Sequence, residues 1–141
     1  MFRFTAVEES LIGSSLELAE QLVVEVIVRD LDRSLAFYTA LGFTLERRDD
    51  GFAALRWGAR WLFLDQRGDL PALVGPARAN LRILTADVDQ VWVTAQTLGL
   101  PVTRPIADRF YGLRDFTVRD PDGFELRFAT PLATGPDAPA G

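Results

Sequence analysis

Residues 22–42 read Leu-Val-Val-Glu-Val-Ile-Val-Arg-Asp-Leu-Asp-Arg-Ser-Leu-Ala-Phe-Tyr-Thr-Ala-Leu-Gly. The β-branched run Val23, Val24, Val26, Ile27 and Val28 is short enough to be one strand. Asp30 and Asp32 then offer side-chain oxygens to cap a helix. Leu31, Leu35, Tyr38 and Leu41 recur at near-helical spacing and form its buried stripe. Gly42 ends it, since a left-handed residue costs glycine nothing. The stretch is strand, cap, helix and stop.

Phe43–Arg48 follows as a second strand, and Asp49-Asp50-Gly51 is a turn. Phe52–Trp57 and Arg60–Gln66 form a hairpin about Gly58-Ala59. Residues 67–79, with two prolines and two glycines, read as a linker. Then the pattern returns. Asp30, Asp32, Leu41 and Gly42 recur as Asp87, Asp89, Leu98 and Gly99, each 57 residues on. Asn80–Thr85 is the repeated first strand, and Val102 stands where Leu45 stood. Leu113–Val118 and Phe124–Phe128 flank the turn Arg-Asp-Pro-Asp-Gly. The second copy carries an insertion, residues 107–112, containing Arg109, Phe110 and Tyr111.

A repeat of this size means two like modules packed together. The expected architecture is α+β, two tandem βαβββ modules at about 22–66 and 80–130. They form one domain over 1–133, with an N-terminal arm (1–21, including a short helix at 14–21) and a disordered tail from 134.

Composition narrows the chemistry. The chain has no cysteine and no histidine, which excludes thiolate nucleophiles, sulfur-based zinc sites and the commonest general base. It has no lysine either, and no serine nucleophile with a base beside it, so covalent catalysis has no support. A formal charge of −5 makes nucleic acid a poor partner and a cationic small molecule an easier one. No stretch reads as a signal peptide or membrane span, and the expected location is cytoplasmic.

Val-Arg-Asp-Leu-Asp-Arg-Ser-Leu-Ala-Phe-Tyr with the following Leu-Gly-Phe, and Arg-Asp-Pro-Asp-Gly-Phe-Glu-Leu-Arg-Phe at 119–128, resemble the vicinal oxygen chelate superfamily. That superfamily includes glyoxalase I, extradiol dioxygenases, fosfomycin-resistance enzymes and bleomycin-resistance proteins. The resemblance implies paired modules whose curved mixed sheets enclose a cleft, and clefts completed by a second chain, hence a homodimer. In metal-using members one ligand begins the first strand of each module, seven residues before the helix-opening aspartate; here these are Val23 and Asn80. The other ligands lie on the last strands, where Arg127 and, by analogy, Leu62 stand. Such residues cannot hold a divalent cation. The resemblance therefore points to the bleomycin-resistance type, which sequesters a small-molecule ligand without metal or other cofactor.

Strand alternation supplies candidate ligand contacts. Val23, Glu25 and Ile27 would face the cleft, as would Asn80, Arg82 and Leu84. On the last strands Arg60, Leu62 and Leu64, then Glu125, Arg127 and Ala129, would do the same, with Trp61 and Phe63 turned toward the first helix. Glu25 and Arg82 are repeat counterparts and are expected to face each other. Trp57 beside Arg60, with Phe110 and Tyr111, would stack on an aromatic or cationic ligand; Trp92 reads as core. Glu25, Arg82 and Arg127 either anchor that ligand or neutralise one another as a structural group. Two other functions stay open: an enzyme of the superfamily with an atypical site using Glu25, and an interaction module with a vestigial cleft.

Overall fold

The computed structural model describes residues 22–76 and 78–133; the expected arm and tail lie outside them. The first module runs β1 (Val24–Val28), α1 (Leu31–Ala40), β2 (Thr44–Asp49), β3 (Phe52–Trp57) and β4 (Arg60–Gln66). The second runs β5 (Asn80–Leu84), α2 (Val88–Thr97), β6 (Val102–Asp108), β7 (Leu113–Arg119) and β8 (Glu125–Pro131). The aspartates cap as their positions require. Asp30 accepts from the Arg33 amide and Asp87 from the Gln90 amide, each at 3.2 Å. Gly42 closes α1 at φ +115°, where a Cβ would also meet the Trp57 ring at 3.0 Å.

Each module makes one four-stranded sheet, ordered β1-β4-β3-β2 and β5-β8-β7-β6. The first strand pairs parallel with the last in each, and the remaining pairs are antiparallel. The result is the expected α+β pair of mixed sheets. No helix among the described residues is long and apolar enough to cross a membrane.

Alternation sends one face of each sheet to its helix. Val26, Val28, Leu55, Leu62 and Leu64 join Leu31, Leu35 and Tyr38 of α1; Ile83, Phe116, Val118, Leu126 and Phe128 join Val88 and Ala95 of α2. All belong to one buried cluster spanning both modules. Trp92 packs edge-on against Phe116, as a core residue should. Trp57 departs from its expected place at a cleft mouth. Its ring lies 5.0 Å from Phe43 and 5.8 Å from Phe128, and its Nε1 donates to the Leu84 carbonyl at 3.1 Å. Trp57 ties the modules together.

The first-sheet faces are also the reverse of the expectation at β4. Leu62 and Leu64 lie in the helix-side core, while Trp61 and Phe63 form a second cluster with Phe52, Ala54 and Val23 on the opposite face. The cause is register. Parallel pairing sets Glu25 beside Phe63, and a one-residue slip exchanges the two faces of a strand.

A second tie joins α1 to the β7–β8 turn. The buried Tyr38 hydroxyl donates to Asp120 at 2.8 Å, and the same carboxylate accepts from the amides of Asp122 (2.9 Å) and Phe124 (2.8 Å). Arg29 closes on Asp122 at 2.7 Å. Burial pushes the Asp120 carboxyl above its ordinary range, against the pull of its three donors, and pushes the Tyr38 phenol well above its own.

Tyr38→Phe should therefore cost about 1–3 kcal/mol at neutral pH, because an ionised buried carboxylate loses a donor. The deficit should shrink as pH falls through the raised range of Asp120, where the carboxyl becomes protonated. Denaturant melts of both proteins at several pH values measure it.

Candidate functional site

The helix-side faces fill the core, so chemistry open to a ligand lies on the opposite faces and along the free edges. On the second sheet the opposite face is polar. Pairing aligns Arg82 with Arg127, Arg127 with Thr117, and Thr117 with Arg104, one residue from each strand. The next row holds Asn80, Glu125 and Arg119. A β-bulge between Val102 and Arg104 brings Thr103 onto this face as well. Thr103, Arg104, Thr117, Arg119, Glu125 and Arg127 line a cavity of about 520 Å3, bordered by Gly75 and Pro76 of the linker.

The insertion lies at the other end of this face. Tyr111 sits under Arg82, whose guanidinium carbon is 5.8 Å from the ring centroid. The Tyr111 hydroxyl donates to Asp115, and Arg109 Nε reaches the same carboxylate at 2.8 Å. Asp115 is fully buried. Burial alone would push its carboxyl up; the Tyr111 hydroxyl and Arg109 overcome that and hold it below the usual carboxylate range. Phe110 is wholly exposed and meets Tyr111 edge-to-face at 5.2 Å.

Arg82, Tyr111 and Arg127 are thus brought to one face, with Phe110 at its rim. Trp57 and Glu25 are elsewhere. Glu25 is half-buried and has a partner of its own. It lines a different cavity, about 360 Å3, between β1 and the linker residues Leu70, Pro71 and Leu73. That cavity contains neither Arg82 nor Arg127. Within one chain Glu25 and Arg82 do not meet: they stand on the outer strands of separate sheets and face different surroundings. Nor does a three-way neutralising group of Glu25, Arg82 and Arg127 form within one chain.

Sequence reading missed Arg104, Asp115, Thr117 and Arg119. Three of them were within reach: the Asp120–Gly123 turn sets Arg119 opposite Glu125, Thr117 opposite Arg127 and Asp115 opposite Ala129. Arg104 was not, because the bulge shifts β6 out of simple alternation.

The register also corrects the metal alignment. Arg82 pairs with Arg127 as Glu25 pairs with Phe63, so the counterpart of Arg127 in the first module is Phe63, not Leu62. Val23, Phe63, Asn80 and Arg127 do not make a donor set for a divalent cation. No three acidic side chains among the described residues gather as a substitute.

Residues 21–128 match the model of the Glyoxalase/Bleomycin resistance protein/Dioxygenase superfamily. The chain belongs to that superfamily. A superfamily relative, a bleomycin resistance protein of Geobacillus stearothermophilus, is 29% identical over 124 residues, covering 77% of this chain and 94% of the relative. An uncharacterized protein of Mycolicibacterium smegmatis is 35% identical over 114 residues, covering 80% and 95%. The crystal structure of a bleomycin-binding protein complexed with bleomycin shares the fold at a TM-score of 0.65 and 24% identity, covering 79% of this chain and 98% of that one.

Tyr111→Phe should remove a hydrogen bond to a buried charge and cost about 1.5–3 kcal/mol at neutral pH. Asp115 has a depressed folded-state pKa, so its contribution is present above the ordinary aspartate range and is lost as pH falls through the lowered value. The variant's deficit should narrow in acid, as thermal melts from neutral to acid pH can measure.

Proposed function

We propose that this protein sequesters a small molecule without a metal, in the manner of bleomycin-resistance proteins. The observation carrying this reading is the pair of solvent-accessible cavities beside a ligand-metal position set that holds valine, phenylalanine, asparagine and arginine. The superfamily's bleomycin-binding member supports ligand capture as the activity. The two cavities differ in character. The one at Glu25 is walled mainly by Val24, Ile27, Leu70, Pro71 and Leu73, with Glu25 and the paired Arg29 and Asp122 as its charged groups, and suits an aromatic or cationic group. Phe110 and Tyr111 offer a stacking surface at the second sheet. A homodimer fits the same reading: β1 and β5 present outer edges that a second chain would cover.

Three measurements test this. Protein purified away from metal columns should carry no stoichiometric zinc, iron, nickel or manganese, and chelator should leave its melting point unchanged. Sedimentation at micromolar concentration should give a dimer. In a thermal-shift screen, aromatic ligands should raise the melting point by mass action, and Glu25→Gln should lower affinity for cationic ones by about 2 kcal/mol or more. Unchanged affinity in Glu25→Gln would leave that residue a structural role alone; bound stoichiometric metal would overturn the metal-free reading.

A further inference from the structure

The cross-strand row Arg82–Arg127–Thr117–Arg104 puts three guanidinium groups on one face with no carboxylate among them. Neighbouring strands lie roughly 4.8 Å apart, so the row is about 14 Å wide. The acids nearby are already engaged. Asp115 is held by Arg109 and Tyr111, and Glu125 lies 3.6 Å from Arg119. Among the described residues no ion pair involves Arg82, Arg104 or Arg127. Arg82 and Arg127 have neutral partners, while the charge of Arg104 acts on the Asp115 carboxylate already held by Arg109 and Tyr111. Arg82 lies over the Tyr111 ring, and Arg127 reaches the Thr117 hydroxyl at 3.4 Å.

Placing like charges directly opposite on adjacent strands disfavours the sheet. Arg82 and Arg127 are in that position, and Arg104 stands two strands beyond Arg127. Guanidinium forks match the oxygens of phosphate, sulfate and carboxylate, often two bonds at a time. A buried threonine hydroxyl between them supplies one more donor. The 520 Å3 cavity opens over Arg104, Thr117 and Arg127, and the Tyr111 ring flanks the row at Arg82.

From these features we infer that the second sheet's outer face binds an oxyanion carried by a small aromatic molecule. Arg82, Arg104 and Arg127 hold the anionic group, Thr117 donates to it, and Tyr111 with Phe110 contacts the ring. The inference rests on the reading of the chain as a small-molecule binder and adds the charge class at this face, which is opposite to that expected from the formal charge of −5.

The test is calorimetric titration of the full chain at low ionic strength with phenyl phosphate, benzoate, benzyl alcohol and benzyltrimethylammonium. Phenyl phosphate should bind, benzoate more weakly, and the neutral and cationic compounds at least ten-fold more weakly than phenyl phosphate in competition at this face. Arg127→Gln and Arg104→Gln should each weaken phenyl phosphate at least ten-fold, while Arg48→Gln, on the first module, should not. Arg127→Gln should melt no lower than wild type, since it relieves repulsion against Arg82. That separates lost binding from lost folding. Phenyl phosphate binding equally to wild type and both variants, or not binding at all, overturns the inference. A preference for benzyltrimethylammonium that Arg127→Gln leaves intact also overturns it, while sparing the broader reading of a ligand binder. Failure of all four compounds, with no hit in the thermal-shift screen, would count against both.

Discussion

The arrangement of the whole molecule depends on one buried carboxylate. Asp120 gathers the amides of its own turn and the phenol of Tyr38 from the other module. A βαβββ module alone has an apolar helix face and a sheet with outer edges, and it needs a partner to cover that face. Hydrophobic contact supplies most of the attraction but little direction. The three donors around Asp120, with Arg29 on Asp122, supply the direction. They fix which end of α1 meets which turn, while alternation fixes which faces enter the core. A buried carboxylate with fewer donors would be costly to ionise, which is why the short Asp-Pro-Asp-Gly segment carries two acids that are both spoken for.

The choice of faces then determines where chemistry can occur. Because the helix-side faces of both sheets share one cluster, the opposite faces do not meet within the chain. Glu25 and Arg82, equivalent under the repeat, end up with unrelated surroundings. One borders an apolar cavity beside the linker; the other stands over an aromatic ring in an arginine row. Duplication gave the modules a common backbone plan, while the two outer faces now carry different charges and different aromatic content. An apolar cavity and a basic face can coexist on so small a chain because screening in water confines the field of the arginines to about 10 Å.

The fold was legible in the sequence because its signals are local. Two Asp caps, two terminal glycines and their common offset of 57 residues survive any tertiary context. Both helices fall on the expected pattern, and β3 and β4 match to the residue. The candidate site was legible only in part. Arg82, Arg127 and Tyr111 followed from alternation and from the insertion. Trp57 did not, because a tryptophan at a hairpin end is equally suited to a cleft or to a module junction; the carbonyl of Leu84, distant in sequence, decides between them. Leu62 was misplaced because parallel register between β1 and β4 has no turn to set it, unlike the antiparallel hairpins.

The net charge says little about any one face, for a related reason. It sums over the chain, whereas a ligand responds to charges within a Debye length. Every basic residue here is arginine, and several are neutralised in place: Arg29 by Asp122, Arg48 by Asp32, Arg114 by Asp89 and Asp108. Among the described residues most acids lie at caps, turns and strand ends, and the two that flank the arginine row, Asp115 and Glu125, are engaged by Arg109 and Arg119. Register concentrates what composition averages. Three arginines distributed over β5, β6 and β8 look unrelated at positions 82, 104 and 127, yet strand pairing sets them in a line with a single threonine between two of them. Such a line weakens the sheet that carries it, and local rules broken without structural compensation are where binding is most reasonably sought.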